Sequence, residues 1–211
     1  DALNHLIRKV TAAGVVTTFA GSGAAGSANG TGAAATFNRP QGLAIDGAGN
    51  LYVADTNNHT IRMITSGGVV TTLAGTVGTA SFVTNTGLLA TFNTPLGIAA
   101  DRTGVGGAAA NLYVADTQNN AIRLYVVATG AVTTLTGSAT GLNGNANGVG
   151  TAATFFHPDG IVANAAGTTL YVADTFNHLI RQIAITAGPV ATVTTLAGSG
   201  TATHADGTGV L

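Results

Sequence analysis

Four aspartates stand seven residues ahead of four arginines: Asp1 and Arg8, Asp55 and Arg62, Asp116 and Arg123, Asp174 and Arg181. Left free and convergent, such groups could form a ring of ligands. Paired, they become bidentate ion pairs that hold register between neighbouring units. A residue that does chemistry usually breaks the symmetry of a repeat, so the regular return favours pairing. Asp55, Arg62, Asp116, Arg123, Asp174 and Arg181 are therefore read as structural polar pairs, with no catalytic residue among them. His5, His59 and His178 also recur, and Asn120 takes the place of the fourth. A zinc site needs three or four ligands converging on one point. Histidines at equivalent turns of separate units are spread apart instead, so no metal and no cofactor is expected. Cysteine is absent and there is no Gly-x-Ser-x-Gly, which leaves nucleophilic catalysis without a carrier. The Asn-Gly-x-Gly loops bring at most one carboxylate each, too little charge for calcium.

These residues need an element that repeats with them. The aspartates recur after 54, 61 and 58 positions, inside a longer motif: Asn50 to Arg62, Asn111 to Arg123 and Leu170 to Arg181. A period of this length points to a propeller or a solenoid. Each unit holds four short strand candidates separated by turns, such as Pro40–Asp46, Leu51–Ala54, His59–Ile64 and Val69–Gly75. No segment shows the apolar spacing of a helix. Four antiparallel strands per unit describe a propeller blade. The expected fold is all-β: a β-propeller of four-stranded antiparallel blades, about three full blades plus an outer half-blade. The units span residues 1–34, 35–89, 90–152 and 153–211.

Asn4-His5-Leu6 and Asn177-His178-Leu179 spell the name of the NHL repeat family. Pro-x-Gly-[Leu/Ile]-Ala, Leu-Tyr-Val-Ala-Asp and Ile-Arg are similar to that family's repeat over nearly the whole chain. Asn120 departs from it, so the histidine is not obligatory in every blade. The resemblance also brings an alternative function, a metal-dependent lyase or lactonase with ligands in the central channel. Here the channel strands would be Gly42–Asp46, Gly97–Asp101 and Gly160–Asn164, which offer two carboxylates and no histidine or glutamate. Glycine-rich connectors link the units, and three of them run into Ala-Thr-Phe, whose phenylalanines (Phe37, Phe92, Phe155) are expected to plug the seams between blades.

Composition narrows the function. Charged residues make up 7% and the net charge is -1, so there is no basic footprint for nucleic acid, and no apolar run is long enough to span a membrane. Asn29-Gly30-Thr31 and Asn58-His59-Thr60 match the N-glycosylation acceptor, making Asn29 and Asn58 candidate sites. Glycans would give hydrophilic cover to a chain with 35 threonines and little charge. The outermost strands, including Val15–Phe19 and Val69–Leu73, carry neither charge nor proline, so their edges are open to pairing. The reading that results is a non-catalytic extracellular or cell-surface scaffold that binds other proteins, glycans or copies of itself, as a filament or matrix subunit would. Four outer hairpins stand against three inner ones, from which we expect about 20 further positions resembling Phe37–Ala54 ahead of Asp1.

Overall fold

The computed structural model describes residues 1–101, 103–104, 107–186, 190–203 and 209. A half-blade comes first: β1 (Ile7–Val10) pairs antiparallel with β2 (Val16–Ala20). Three full blades follow. The first contains β3 (Gly30–Thr31), β4 (Pro40–Ile45), β5 (Leu51–Asp55), β6 (Thr60–Ile64) and β7 (Val69–Ala74). The second contains β8 (Asn85–Thr86), β9 (Pro95–Ala100), β10 (Asn111–Asp116), β11 (Ala121–Val126) and β12 (Ala131–Gly137). The third contains β13 (Gly148–Val149), β14 (Pro158–Ala163), β15 (Thr169–Asp174), β16 (Leu179–Ile185) and β17 (Ala191–Ala197). Each is an antiparallel meander, and β4, β9 and β14 lie side by side on the inner wall.

The expected blade had four strands; the observed sheets have five. The fifth is a two-residue strand from the preceding connector, as where Gly30 and Thr31 pair with Val70 and Val69. The same device covers part of β12 and β17. It also corrects the expectation of bare outer edges, since three of the four outermost strands are partly paired. By its contacts, the connector ahead of a blade belongs to the blade that follows it.

The Leu-Tyr-Val-Ala run ahead of each clamp aspartate is apolar because its strand lies between two packed faces, as in a stacked sheet. Leu51 and Val53 pack toward the half-blade with Phe37, Ile64 and Val70. Tyr52 and Ala54 pack the other way, with Phe92, Ile98 and Leu112 of the next blade. Phe155 does the same between the second and third blades. All three phenylalanines are fully buried, and each sits in a seam.

Candidate functional site

Three of the four Asp–Arg pairs close within their own blade, not between blades, while Asp1 and Arg8 do not pair with each other. Arg62 Nη1 lies 2.9 Å from Asp55 Oδ2, Arg123 Nη1 2.9 Å from Asp116 Oδ2, and Arg181 Nη1 2.7 Å from Asp174 Oδ2, all with side chains at 0% exposure. The local cause is the β5–β6 hairpin, which places the end of one strand beside the start of the next. Asp55 also accepts from the Asn38 amide (2.7 Å) and Asn58 Nδ2 (2.8 Å).

The other guanidinium nitrogen reaches the connector. Arg62 Nη2 donates to Ala28 O (3.0 Å) and Asn29 Oδ1 (2.9 Å), and Arg181 repeats this on Ala146 and Asn147. Arg123 has only the Val83 carbonyl (3.1 Å), but its guanidinium lies 4.7 Å from the centre of the Phe82 ring as well as 5.6 Å from that of Phe92. The pair is thus a clamp that fastens a long connector to its blade. The Nε of all three arginines has no hydrogen-bond partner among the described residues. Burial pushes the Asp116 carboxyl up to about 6, with Arg123, Asn119 and the Asn93 amide pulling the other way. Burial also raises Asp55 and lowers Arg123.

Two of the repeated histidines, His5 and His59, hold neighbouring blades together. His5, His59 and His178 each end a single 3-10 turn at φ 55°, 57° and 55°, and Asn120 sits there at 51°. His5 Nδ1 accepts from the Arg39 amide (3.1 Å) and His59 Nδ1 from the Thr94 amide (3.0 Å). Asn120 Oδ1 takes the equivalent bond from the His157 amide (2.9 Å). Asparagine fits because it supplies the same acceptor and tolerates positive φ. Burial lowers the His59 pKa, which keeps the imidazole neutral and its lone pair free to accept. Thr56 and Thr117 add a donor in the same seams, to Pro95 O (2.9 Å) and Pro158 O (2.8 Å). We expect His59→Asn to stay within about 0.5 kcal/mol of the parent, while His59→Ala loses about 2 kcal/mol by stranding the Thr94 amide. Urea unfolding of the two variants side by side checks this.

The two channel-end carboxylates are occupied. Asp46 is 3% exposed and accepts from the amides of Ala48, Asn50 and Ala109, from Asn50 Nδ2 and from the Tyr52 hydroxyl (2.9 Å). Desolvation raises its pKa, but these donors outweigh it and leave the pKa below the ordinary value. Asp101 accepts from Ala110, Asn111 and the Asn111 side chain. Leu43, Ile45, Ile98 and Ile161, together with Asn164, border a hollow of about 290 Å³ on the inner wall. Among the described residues no three His, Asp or Glu side chains gather to hold a metal.

Asn58 needs correcting as a glycan site. It is 6% exposed, and its Nδ2 donates to Gly26 O (2.7 Å) and Asp55 Oδ2 (2.8 Å). Its side chain is part of the clamp, so the folded chain has no room for a sugar there. Asn29 is exposed, and its bonds use Oδ1 alone.

One patch breaks the repeat and was not singled out from the sequence. Where the other blades have Asn-Arg-Pro-Gln and Asn-Thr-Pro-Leu, the last has Phe156-His157-Pro158-Asp159, and Phe176 replaces Asn57 and Gln118. The His157 ring stacks on Phe176 at 4.3 Å and 10°, and Phe156 meets Phe176 edge-on at 5.1 Å. His157 Nδ1 lies 3.2 Å from Asp159 Oδ1, and Gln118 Nε2 2.9 Å from His157 Nε2. Phe176 remains 52% exposed. The signal in the sequence was the substitution of aromatics at positions that are polar in the sister units.

The profile of the NHL repeat matches residues 37–62, which run from Phe37 through the Asp55–Arg62 clamp. NHL repeat-containing protein 2 of Bos taurus is 31% identical over 159 residues, and that of Homo sapiens 33% over 157, covering 71% and 70% of this chain. This chain belongs to the NHL-repeat family. It spans about a fifth of those relatives, 21% of each. Its NHL blades also superpose on solved structures. A protein of unknown function from Bacteroides thetaiotaomicron gives a TM-score of 0.68 at 21% identity, covering 91% of this chain and 43% of that one. Virginiamycin B lyase from Staphylococcus aureus gives 0.51 at 16% identity, covering 90% and 49%. At these identities the likeness is one of fold, and the fold is the NHL-type β-propeller. No helix among the described residues is long and apolar enough to cross a membrane.

Proposed function

We propose that this chain is a non-catalytic scaffold that works outside the cell or at its surface, binding other proteins or copies of itself. The observation that carries the reading is that most polar side chains repeated from blade to blade are engaged internally. Asp55, Asp116 and Asp174 hold arginines, His5 and His59 hold the next blade, and Asp46 and Asp101 close turns. A metal-dependent lyase or lactonase, the alternative, needs free carboxylates or imidazoles converging on the channel.

The surface left for contact includes large apolar side chains. Leu89 and Leu142 in the connectors are each 67% exposed, Leu3 74% and Val10 63%. A chain with 7% charged residues has little repulsion to keep copies apart. Glycans at Asn29 would moderate such contacts, and the aromatic patch at Phe176 offers a second place for a partner.

Light scattering with electron microscopy over a concentration series tests the proposal. We expect species larger than the monomer that grow with concentration, more so after enzymatic deglycosylation. A strictly monomeric species at high concentration removes self-association from the reading.

A further inference from the structure

Charge is scarce on the three full blades, so where it reaches the surface is informative. Among their described residues, eight of the ten Asp and Arg side chains are buried, six in the clamps and two at Asp46 and Asp101. The two that reach solvent are Arg39, which is exposed, and Asp159, with 33% of its side chain accessible. Both belong to one row of equivalent positions. Arg39, Thr94 and His157 precede the prolines that open β4, β9 and β14, and all three have positive φ (53°, 53° and 58°). Gln41, Leu96 and Asp159 follow those prolines. Asn57, Gln118 and Phe176 complete the row, donating their amides to the carbonyls of Asn38, Asn93 and Phe156 (3.0, 3.2 and 3.1 Å).

This shared frame presents one set of side chains per blade on a single face of the propeller. Asn57 and Gln118 are exposed with a blade on either side, so the exposure of Phe176 belongs to its position in the repeat. Across the face the chemistry changes from end to end. The row is cationic at the first full blade, uncharged at the second, and acidic and aromatic at the third. The third blade is also fitted to receive a cation. Phe176 is 52% exposed and backed by the His157 imidazole. One Asp159 oxygen is held by His157 Nδ1 (3.2 Å), which fixes the carboxylate and leaves its other oxygen to accept.

We propose that this face pairs with the same face of a second copy, about a two-fold axis through the second full blade. Such an axis lays the row on itself in reverse, so Arg39 of each copy meets the third blade of the other. There its planar guanidinium stacks on the Phe176 ring and donates to Asp159, the two contacts that arginine makes best. The uncharged Thr94 and Leu96 meet their own counterparts at the centre. A two-fold axis along the row would set like charge on like, which selects the reversed arrangement. Because the surface is self-complementary, the contact closes at two copies and does not propagate. The inference rests on the self-association reading above and gives it a surface and a stoichiometry.

Sedimentation velocity of the intact chain over a concentration series is the test. We expect a dimer whose dissociation constant rises about hundredfold with Arg39→Asp, since both contacts then oppose like charges. Asp159→Arg has the same effect. Mixing these two single variants restores the dimer, because each contact again pairs an aspartate with an arginine. Phe176→Asn, which installs the residue of the first full blade, weakens the dimer about tenfold by removing the ring under the guanidinium. Unfolding midpoints of the variants confirm that each is folded. Association that Arg39→Asp leaves unchanged overturns the inference while the self-association reading stands. So does a mixture of the single variants that stays monomeric. A parent chain that is monomeric throughout overturns both.

Discussion

Replacing Arg123 with alanine lowers the stability of the folded chain by about 3–5 kcal/mol, the range for stranding one partner of a buried ion pair. The loss has several parts. Asp116 stays buried at 0% exposure with its counter-charge gone, and the Thr91 and Val83 carbonyls lose their donor. The connector around Phe82 loses the cation above its ring. Arg8→Ala is the matched control, because Arg8 has the same repeat position without the clamp, and a surface change of this kind stays within about 0.5 kcal/mol. The midpoint of urea unfolding for the two variants decides it. Equal effects would remove the clamp as a source of stability.

The second large effect is at the inner wall. A Cβ on Gly97 would land on the carbonyl oxygen of Asp159, and one on Gly42 on the carbonyl oxygen of Leu96. Both obstacles are backbone, which cannot rotate away as a side chain does. Gly97→Ala and Gly42→Ala should each cost about 3 kcal/mol or more, the upper end for overpacking a close-packed site. At Gly160 the nearest atom is Ala173 Cβ at 3.7 Å, an ordinary contact. Gly160→Ala should therefore be neutral, or gain a few tenths of a kcal/mol from reduced chain entropy. Thermal unfolding of the three variants gives the comparison; a uniform response would mean that the seam does not set the glycine.

Much of the fold was legible because it is written several times. The fixed Asp-to-Arg interval, the Leu-Tyr-Val-Ala-Asp strand and the phenylalanines each returned with the blade, and repetition separated signal from composition. What escaped was local or relational. Gly30–Thr31 is too short to show any alternation, so the fifth strand could not be read. Asn58 matched a glycan motif on three residue types alone, while its role depends on the neighbouring Asp55 and on Gly26, 32 residues away. The histidines read as residues of separate turns around the rim, and the bond that His5 and His59 make to the next blade was not foreseen. Asn120 held the clue, since the one property it shares with His59 in that position is an acceptor on a side chain that accepts positive φ. The Phe156, His157 and Phe176 patch was visible only as a departure, and departures were weighed for catalysis rather than for contact.

The close approach of backbone at Gly42 and Gly97 has a consequence for how such a chain can diversify. Near the axis, spacing between blades is set by main-chain atoms, which no substitution can resize, so the inner wall admits almost no variation. Farther out the seams are filled by side chains, where Asn can stand for His and Phe82 can stand in for an asparagine. The unequal unit lengths of 54, 61 and 58 residues are absorbed in connectors and turns, above all in the turn between β9 and β10, where Ala100 and Leu112 pair across twelve positions against six for Ile45 and Leu51. Freedom to change thus lies in side-chain seams, turns and connectors, where new recognition surfaces can be written without disturbing the geometry that spaces the blades.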